Sequence, residues 1–266
     1  MGPSLQAEAR GASRCVSSHT RVEPWAPYLK GIHKKSSIFL NIFLSICLDW
    51  RYPDQIMNTL QRAYLAIAVV LTLAVTITPI GTRALEVFTY HMIQHITLLM
   101  VVGSLLVLAT PDWLRKKLNQ SQIFRALTAP WISFALYATM MVGVHLPNVH
   151  LYIMHHEWAH YYVEVPLYLI VPYLFYFNIL DSNLQGRRLS TGMSVIMLWL
   201  MMVPETLTGF FIYISHESAY GFMYDINDQR LGGTIMWSGG MIIDVIWIML
   251  AVYHWWKSEE LKSKSL

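Results

Sequence analysis

Two histidine pairs, each set four residues apart, carry the strongest chemical signal in this chain. His91 and His95 stand in Tyr90-His91-Met92-Ile93-Gln94-His95, and His156 and His160 in His156-Glu157-Trp158-Ala159-His160. On a helix, positions i and i+4 share one face a turn apart, so each pair can offer two imidazoles to one ion. Neutral imidazole ligates copper, zinc and iron. Glu164 extends the face of the second pair by one more turn. Both cysteines, Cys15 and Cys47, precede the first convincing apolar stretch. A disulfide framework or Cys-rich metal site therefore cannot form in the body of the protein, and ligands must come from His, Met, Asp or Glu. Met92, Met154 and Met236 lie near enough to the pairs in sequence or topology to act as soft Cu(I) donors.

The competing reading of each pair is a hydrogen-bonding seam between helices. His145, His150, His155 and His216 stand singly in or beside loops, where a histidine ordinarily anchors at the headgroups. His254 belongs at the opposite end of the protein. Three acids, Glu164, Glu205 and Asp244, fall roughly 10 to 20 Å inside their apolar stretches at ~1.5 Å per residue. A charged carboxylate there costs about 2.5 to 3.5 kcal/mol, so each must be protonated, paired or turned to the interior. Structural pairing, orientation of the histidines and proton relay all satisfy that requirement.

The elements that position these groups are membrane spans. Among 266 residues, 55% are hydrophobic and 13% charged, and the mean hydropathy is +0.40. That is too little charge to solvate a soluble globule of this size. Apolar stretches over 60–80, 87–110, 129–146, 158–180, 191–214 and 233–256 are each near the ~20 residues that cross a bilayer. Arg115, Lys116, Lys117 and Arg125 fill the second loop, Arg187 and Arg188 the fourth, and Lys257, Lys262 and Lys264 the tail. The positive-inside rule makes these cytoplasmic and the alternate loops external. The sequence thus predicts an all-α integral membrane protein, a bundle of about six transmembrane helices with both termini cytoplasmic. Both histidine pairs then fall at the outer ends of the second and fourth spans.

The net charge of +3 sits in short clusters between apolar runs, which excludes nucleic acid as the partner they serve. Residues 1–56 read as an optional or poorly ordered extension, with 38–48 too short to span, and Met57 is a candidate natural start. Residues 57–257 form the transmembrane domain and 258–266 a cytoplasmic tail.

These residues resemble the polytopic CtaG-type cytochrome c oxidase assembly factors. His91-Met92-Ile93-Gln94-His95 is similar to that family's His-x-x-Gln-His helix opening, and it is followed by an apolar run to Ala109-Thr110-Pro111. His156-Glu157-Trp158-Ala159-His160 resembles its second histidine pair, and Tyr220 follows the fifth span much as in the family. The most specific stretch is Asp228-Gln229-Arg230-Leu231-Gly232-Gly233-Thr234-Ile235-Met236-Trp237, which is similar to the family's Asp-Gln-x-x-Gly-Gly-x-x-Met-Trp. The resemblance covers about residues 85–257. It departs at Pro204-Glu205 and Gly209, where the family shows a Pro-Met-rich turn.

The resemblance implies a non-enzymatic assembly factor in the plasma membrane of a prokaryote. It would assist copper delivery to, or maturation of, a respiratory terminal oxidase, with the bilayer and oxidase subunits as partners. The expected ligands are His91, His95, His156 and His160. Glu164, Glu205, Asp228 and Asp244 are expected to orient them or handle protons. For Asp228 the favoured role is accepting a hydrogen bond from a histidine, against capping the sixth helix. Copper is the expected metal, with zinc or haem as alternatives. A b-type haem electron-transfer protein clamping its cofactor between two of the histidines, or a proton-coupled transporter, are the rival functions.

Overall fold

The computed structural model describes residues 57–180 and 189–264, and among these every regular element is a helix. The expectations for residues 1–56, both cysteines, and the Arg187/Arg188 loop lie outside the described residues. Seven helices carry the architecture: α1 (Thr59–Ile77), α2 (Phe88–Ala109), α3 (Pro130–Val144), α4 (Pro147–His155), α5 (Glu157–Leu180), α6 (Thr191–Ile214) and α7, which runs through Ile226–Thr234, Ile235–Gly239 and Gly240–Lys264. α1, α2, α5, α6 and α7 are each long and apolar enough to cross a bilayer. The bent pair α3 and α4 makes a sixth if it counts as one span.

The helix ends follow from local chemistry. Asn58 and Gln61 form a reciprocal capping box at the start of α1, and the Gln61 amide reaches on to the Thr110 carbonyl at the end of α2. Arg115 donates from Nε to Thr110 O and from Nη2 to Val107 O, each at 2.8 Å. A guanidinium thereby adds bonds to carbonyls of the last turn of α2, at the end where the helix dipole favours a cation. Pro130 and Pro147 stand at first helical positions, where their missing N–H is no loss.

Two features differ from the hydropathy reading. The third span was expected over 129–146, but the helix ends at Val144 and turns by 74° into α4. Pro147 explains the turn, since the residue before a proline is pushed out of helical conformation, and Leu146 is extended. The sixth span was expected from 233, but α7 begins at Ile226 under an Asp225 cap and continues through Lys264. Its polar first turns fall below any apolar window, because they face neighbours rather than lipid.

Within the bundle α2 is the most enclosed span, with 67% of its apolar window buried against 17% for α1 and for α7. It packs on α1, α5 and the first part of α7. α6 packs along α7, where Gly209 and Gly233 meet. A Cβ at Gly233 would stand 2.8 Å from Tyr213 N, and one at Gly209 2.7 Å from Trp237 N, so only glycine admits this backbone approach. Trp199, Phe211, Ile242, Met249 and Trp256 face outward, whereas His91, His95, His150, His160, Glu164, Glu205 and Asp244 are buried. This inversion of the usual distribution fits a protein whose solvent is lipid.

Candidate metal centre

Among the described residues three π-helical turns interrupt the spans, at Thr97–Val102, His160–Glu164 and Ile235–Gly239. Such turns often mark functional positions. The second comprises site residues at both ends, and it ends two residues before Pro166, which has no N–H for the α-helical ladder. The Val165 N–H accordingly donates five residues back, to His160 O.

Glu164 is the hub of the site and is fully buried. It accepts from His160 Nδ1 at 2.6 Å and from the Tyr168 hydroxyl at 2.7 Å, and its Oε1 lies 3.7 Å from His91 Nε2. His91, His160 and Glu164 each offer a ligand atom within 4.8 Å of the other two. His95 sits one turn below His91 on α2, their ring centroids 6.4 Å apart.

Two further imidazoles complete the cluster. His145, at the bend between α3 and α4, lies 5.0 Å from His95 by ring centroids. His150 of α4 lies 5.1 Å from His91. The headgroup-anchor reading therefore fails for these two. The 74° turn folds α4 back over the bundle and buries both side chains. His155 and His216, by contrast, are exposed.

The hydrogen-bond pattern leaves lone pairs free. His145 Nδ1 lies 2.6 Å from Met141 O, and a carbonyl only accepts, so Nδ1 carries the proton and Nε2 keeps its lone pair. His160 does the same through Glu164, the carboxylate–histidine arrangement that orients metal ligands. His145 Nε2, His160 Nε2, His150 Nδ1 and both ring nitrogens of His91 and His95 have no hydrogen-bond partner, although all are buried. A buried polar atom left in that state costs about 1 to 3 kcal/mol. An ion held by His91, His160 and Glu164 removes the cost at those two imidazoles, so the residues present fit a metal.

A loop between α6 and α7 covers the cluster. Tyr224 bonds His150 Nε2 at 3.1 Å, and Tyr220 lies 4.3 Å from the His150 ring while its hydroxyl donates to His145 O. Burial pushes both phenols above the ordinary tyrosine value, so they remain neutral. Gln229 staples this loop: its Oε1 accepts from Ala219 N at 2.8 Å and its Nε2 donates to Ile212 O. Gln94, inside the first histidine motif, ties α2 to Val75 O of α1.

The structure thus brings together His91, His95, His160 and Glu164 from the expected set and leaves His156 outside. His156 is exposed, its Nδ1 bonded to Tyr152 O. The i, i+4 argument required a continuous helix through both residues, but His156 is the extended N-cap from which α5 starts. Asp228 touches no histidine and does not cap α7. It caps α2 from across the bundle, accepting from Phe88 N at 2.7 Å, Thr89 N at 3.1 Å and Thr89 Oγ1 at 2.6 Å. Glu205 and Asp244 belong to a separate cluster on α6 and α7. Met92, Met154 and Met236 are buried in the apolar core. Tyr168 and Tyr224 were not anticipated. Tyr168 was within reach, since His160, Glu164 and Tyr168 repeat every four residues. Tyr224 has no comparable signal.

Fold and site together define a multi-pass helical membrane protein with a buried polyhistidine cluster near one end of the bundle. The chain belongs to the cytochrome c oxidase caa3 assembly factor family, Caa3_CtaG, whose model matches residues 42–258. It is 25% identical over 207 residues to the uncharacterized protein Mb0105 of Mycobacterium bovis and, equally, to the uncharacterized protein MT0111 of Mycobacterium tuberculosis. It is 23% identical over 206 residues to the uncharacterized protein ML1998 of Mycobacterium leprae. Each alignment covers 66% of this chain and 31% of the relative, so the chain spans about a third of the length of the curated relatives it matches. No solved structure matches it.

Proposed function

We propose that this chain handles copper during assembly of a respiratory terminal oxidase, taking the ion as cargo at the cluster of His91, His95, His145, His150, His160 and Glu164. The observation that carries the reading is the set of buried ring nitrogens without partners around a carboxylate already held by His160 and Tyr168. Neutral imidazoles favour copper over other divalent first-row ions by intrinsic affinity. The family's role in oxidase assembly supplies the client.

The ring spacings support an ion over a porphyrin. His91, His95, His145 and His150 stand 5.0 to 6.5 Å from their neighbours by ring centroids, the two closest pairs edge to face. A bis-histidine haem needs two imidazoles facing one another across a macrocycle, with the space around them cleared. The positive-inside rule favours a cytoplasmic end carrying Arg115, Lys116, Lys117 and Arg125, which puts the cluster on the outer-leaflet side. This is a multi-pass protein of a prokaryotic plasma membrane.

The test compares membranes from cells carrying the wild-type chain, His91→Ala with His160→Ala, or no chain. The expected result is loss of terminal-oxidase activity and membrane copper in both deficient strains, with restoration by copper supplementation. Full oxidase activity with the double variant at normal protein level contradicts the reading.

A further inference from the structure

A second polar cluster lies deeper in the bundle, away from the histidines. Glu205 of α6 rests directly on the backbone of α7 at Gly240, where a Cβ would overlap its Oε1. Asp244 follows Gly240 by four residues and Trp247 follows by seven, so all three share one face of α7. Trp247 in turn packs at a tilt against Tyr176 of α5, ring centroids 5.9 Å apart. Asp244 is thereby bracketed between Glu205 and Tyr176. Tyr137 of α3 also faces the acids, and both phenols interact electrostatically with both carboxyls.

The four side chains are buried, and their six terminal oxygens, two on Glu205, two on Asp244 and one each on Tyr137 and Tyr176, meet no partner in full hydrogen-bond geometry, although the Tyr137 hydroxyl is close enough to Glu205 to donate to it. Tyr137 precedes His145 by eight residues on α3, and Tyr176 follows Tyr168 by eight on α5. Two independent helices therefore set this cluster about 12 Å below the first. The titratable groups that face the acids are Tyr137 from α3, Tyr176 from α5, and each acid from the other's helix. α2 presents its π-helical turn Thr97–Val102 to this part of α7, and that segment has no titratable side chain. The buried basic side chain of Arg115 is engaged with the Val107 and Thr110 carbonyls.

Two neighbouring carboxyls in a low-dielectric interior cannot both be charged without a counter-ion, and a shared proton is the smallest ligand that relieves them. We propose that Glu205 and Asp244, flanked by the hydroxyls of Tyr137 and Tyr176, form an exchangeable proton-binding site inside the membrane, distinct from the histidine cluster. The phenols supply neutral donors to whichever carboxyl is charged, so the proton can move between the two acids without leaving the site. Each transfer breaks one O–H bond and makes another, and no redox partner is needed. The site gives the bundle a proton-handling capacity independent of metal.

The experiment is an infrared pH titration of the full chain in lipid nanodiscs, in H2O and D2O. It reads the carbonyl stretch of protonated carboxylic acid. At neutral pH the wild type should show this band at an intensity of at least one carboxyl, shifted in D2O. Glu205→Gln with Asp244→Asn should abolish it, while Glu164→Gln should leave it unchanged. Metal content of the Glu205→Gln single variant should match wild type. Absence of the band from wild-type protein between pH 5 and pH 8 overturns the proposal without any variant. Persistence of the band in a folded double variant also overturns it.

Discussion

Asp228 separates a residue that touches a metal from one that positions the helix carrying the ligands. Its carboxylate accepts two backbone N–H groups and a hydroxyl at the first turn of α2, and His91 lies three residues beyond Phe88. Asp228→Ala removes all three bonds. Losing an N-cap costs about 0.5 to 2 kcal/mol, and losing a negative charge from a helix N-terminus costs about 0.3 to 1 kcal/mol more. Because Asp228 is only half-buried, the total is set at about 1 to 2.5 kcal/mol. Asp228→Asn keeps one acceptor oxygen and should cost about 1 kcal/mol. Copper affinity should fall by no more than about tenfold in either variant, since 1.4 kcal/mol is a factor of ten and only part of the loss reaches His91. Unfolding in mixed micelles reads the stability, and copper titration with a competing chelator reads the affinity. An Asp228→Asn protein of wild-type stability that loses copper affinity a hundredfold would refute this assignment and place the carboxylate on the metal.

Other outcomes follow from the same geometry. Glu164→Gln loses the anion held between His160 and His91 and should weaken copper binding by roughly 10 to 100-fold in the same titration, a typical effect of removing a ligand's hydrogen-bonded carboxylate. Gly233→Val should destabilise the bundle by several kcal/mol in a denaturation series, because its Cβ would stand 2.8 Å from Tyr213 N and 2.9 Å from Gly209 O, both of them backbone. Tyr220 and Tyr224 are pushed above their unfolded values, so their contribution to stability is full below pH ~10 and declines above it. Each adds up to about 1.4 kcal/mol per pH unit to that decline. Tyr220→Phe with Tyr224→Phe should flatten the alkaline branch of the stability–pH curve.

Much of this architecture was legible because lipid imposes long apolar runs. The expected span at 191–214 coincides with α6, and those at 87–110 and 158–180 match α2 and α5 to within one residue at each end. The pairing of His91 with His95 was legible for a similar reason, since both lie inside one uninterrupted helix. His156 misled because its spacing from His160 counts residues across a helix start, which periodicity cannot see. His145 and His150 were obscured by the opposite error: a polar, charge-free stretch after a span reads as a loop, yet Pro147 starts a helix that returns over the bundle. The contacts of Asp228 and Gln229 join positions 139 and 17 residues away, and no local pattern reports such distances. The Asp-Gln pair could be matched to a family by type, but its work in holding α2 and the Tyr220 loop required the fold.

Metal analysis of the purified full chain tests the central claim most directly. Protein purified after expression with copper, then dialysed against a weak chelator, should retain about one copper per chain. His91→Ala with His160→Ala should retain essentially none, while His156→Ala should match wild type. Equal copper in all three proteins, or loss with His156→Ala alone, would contradict the account.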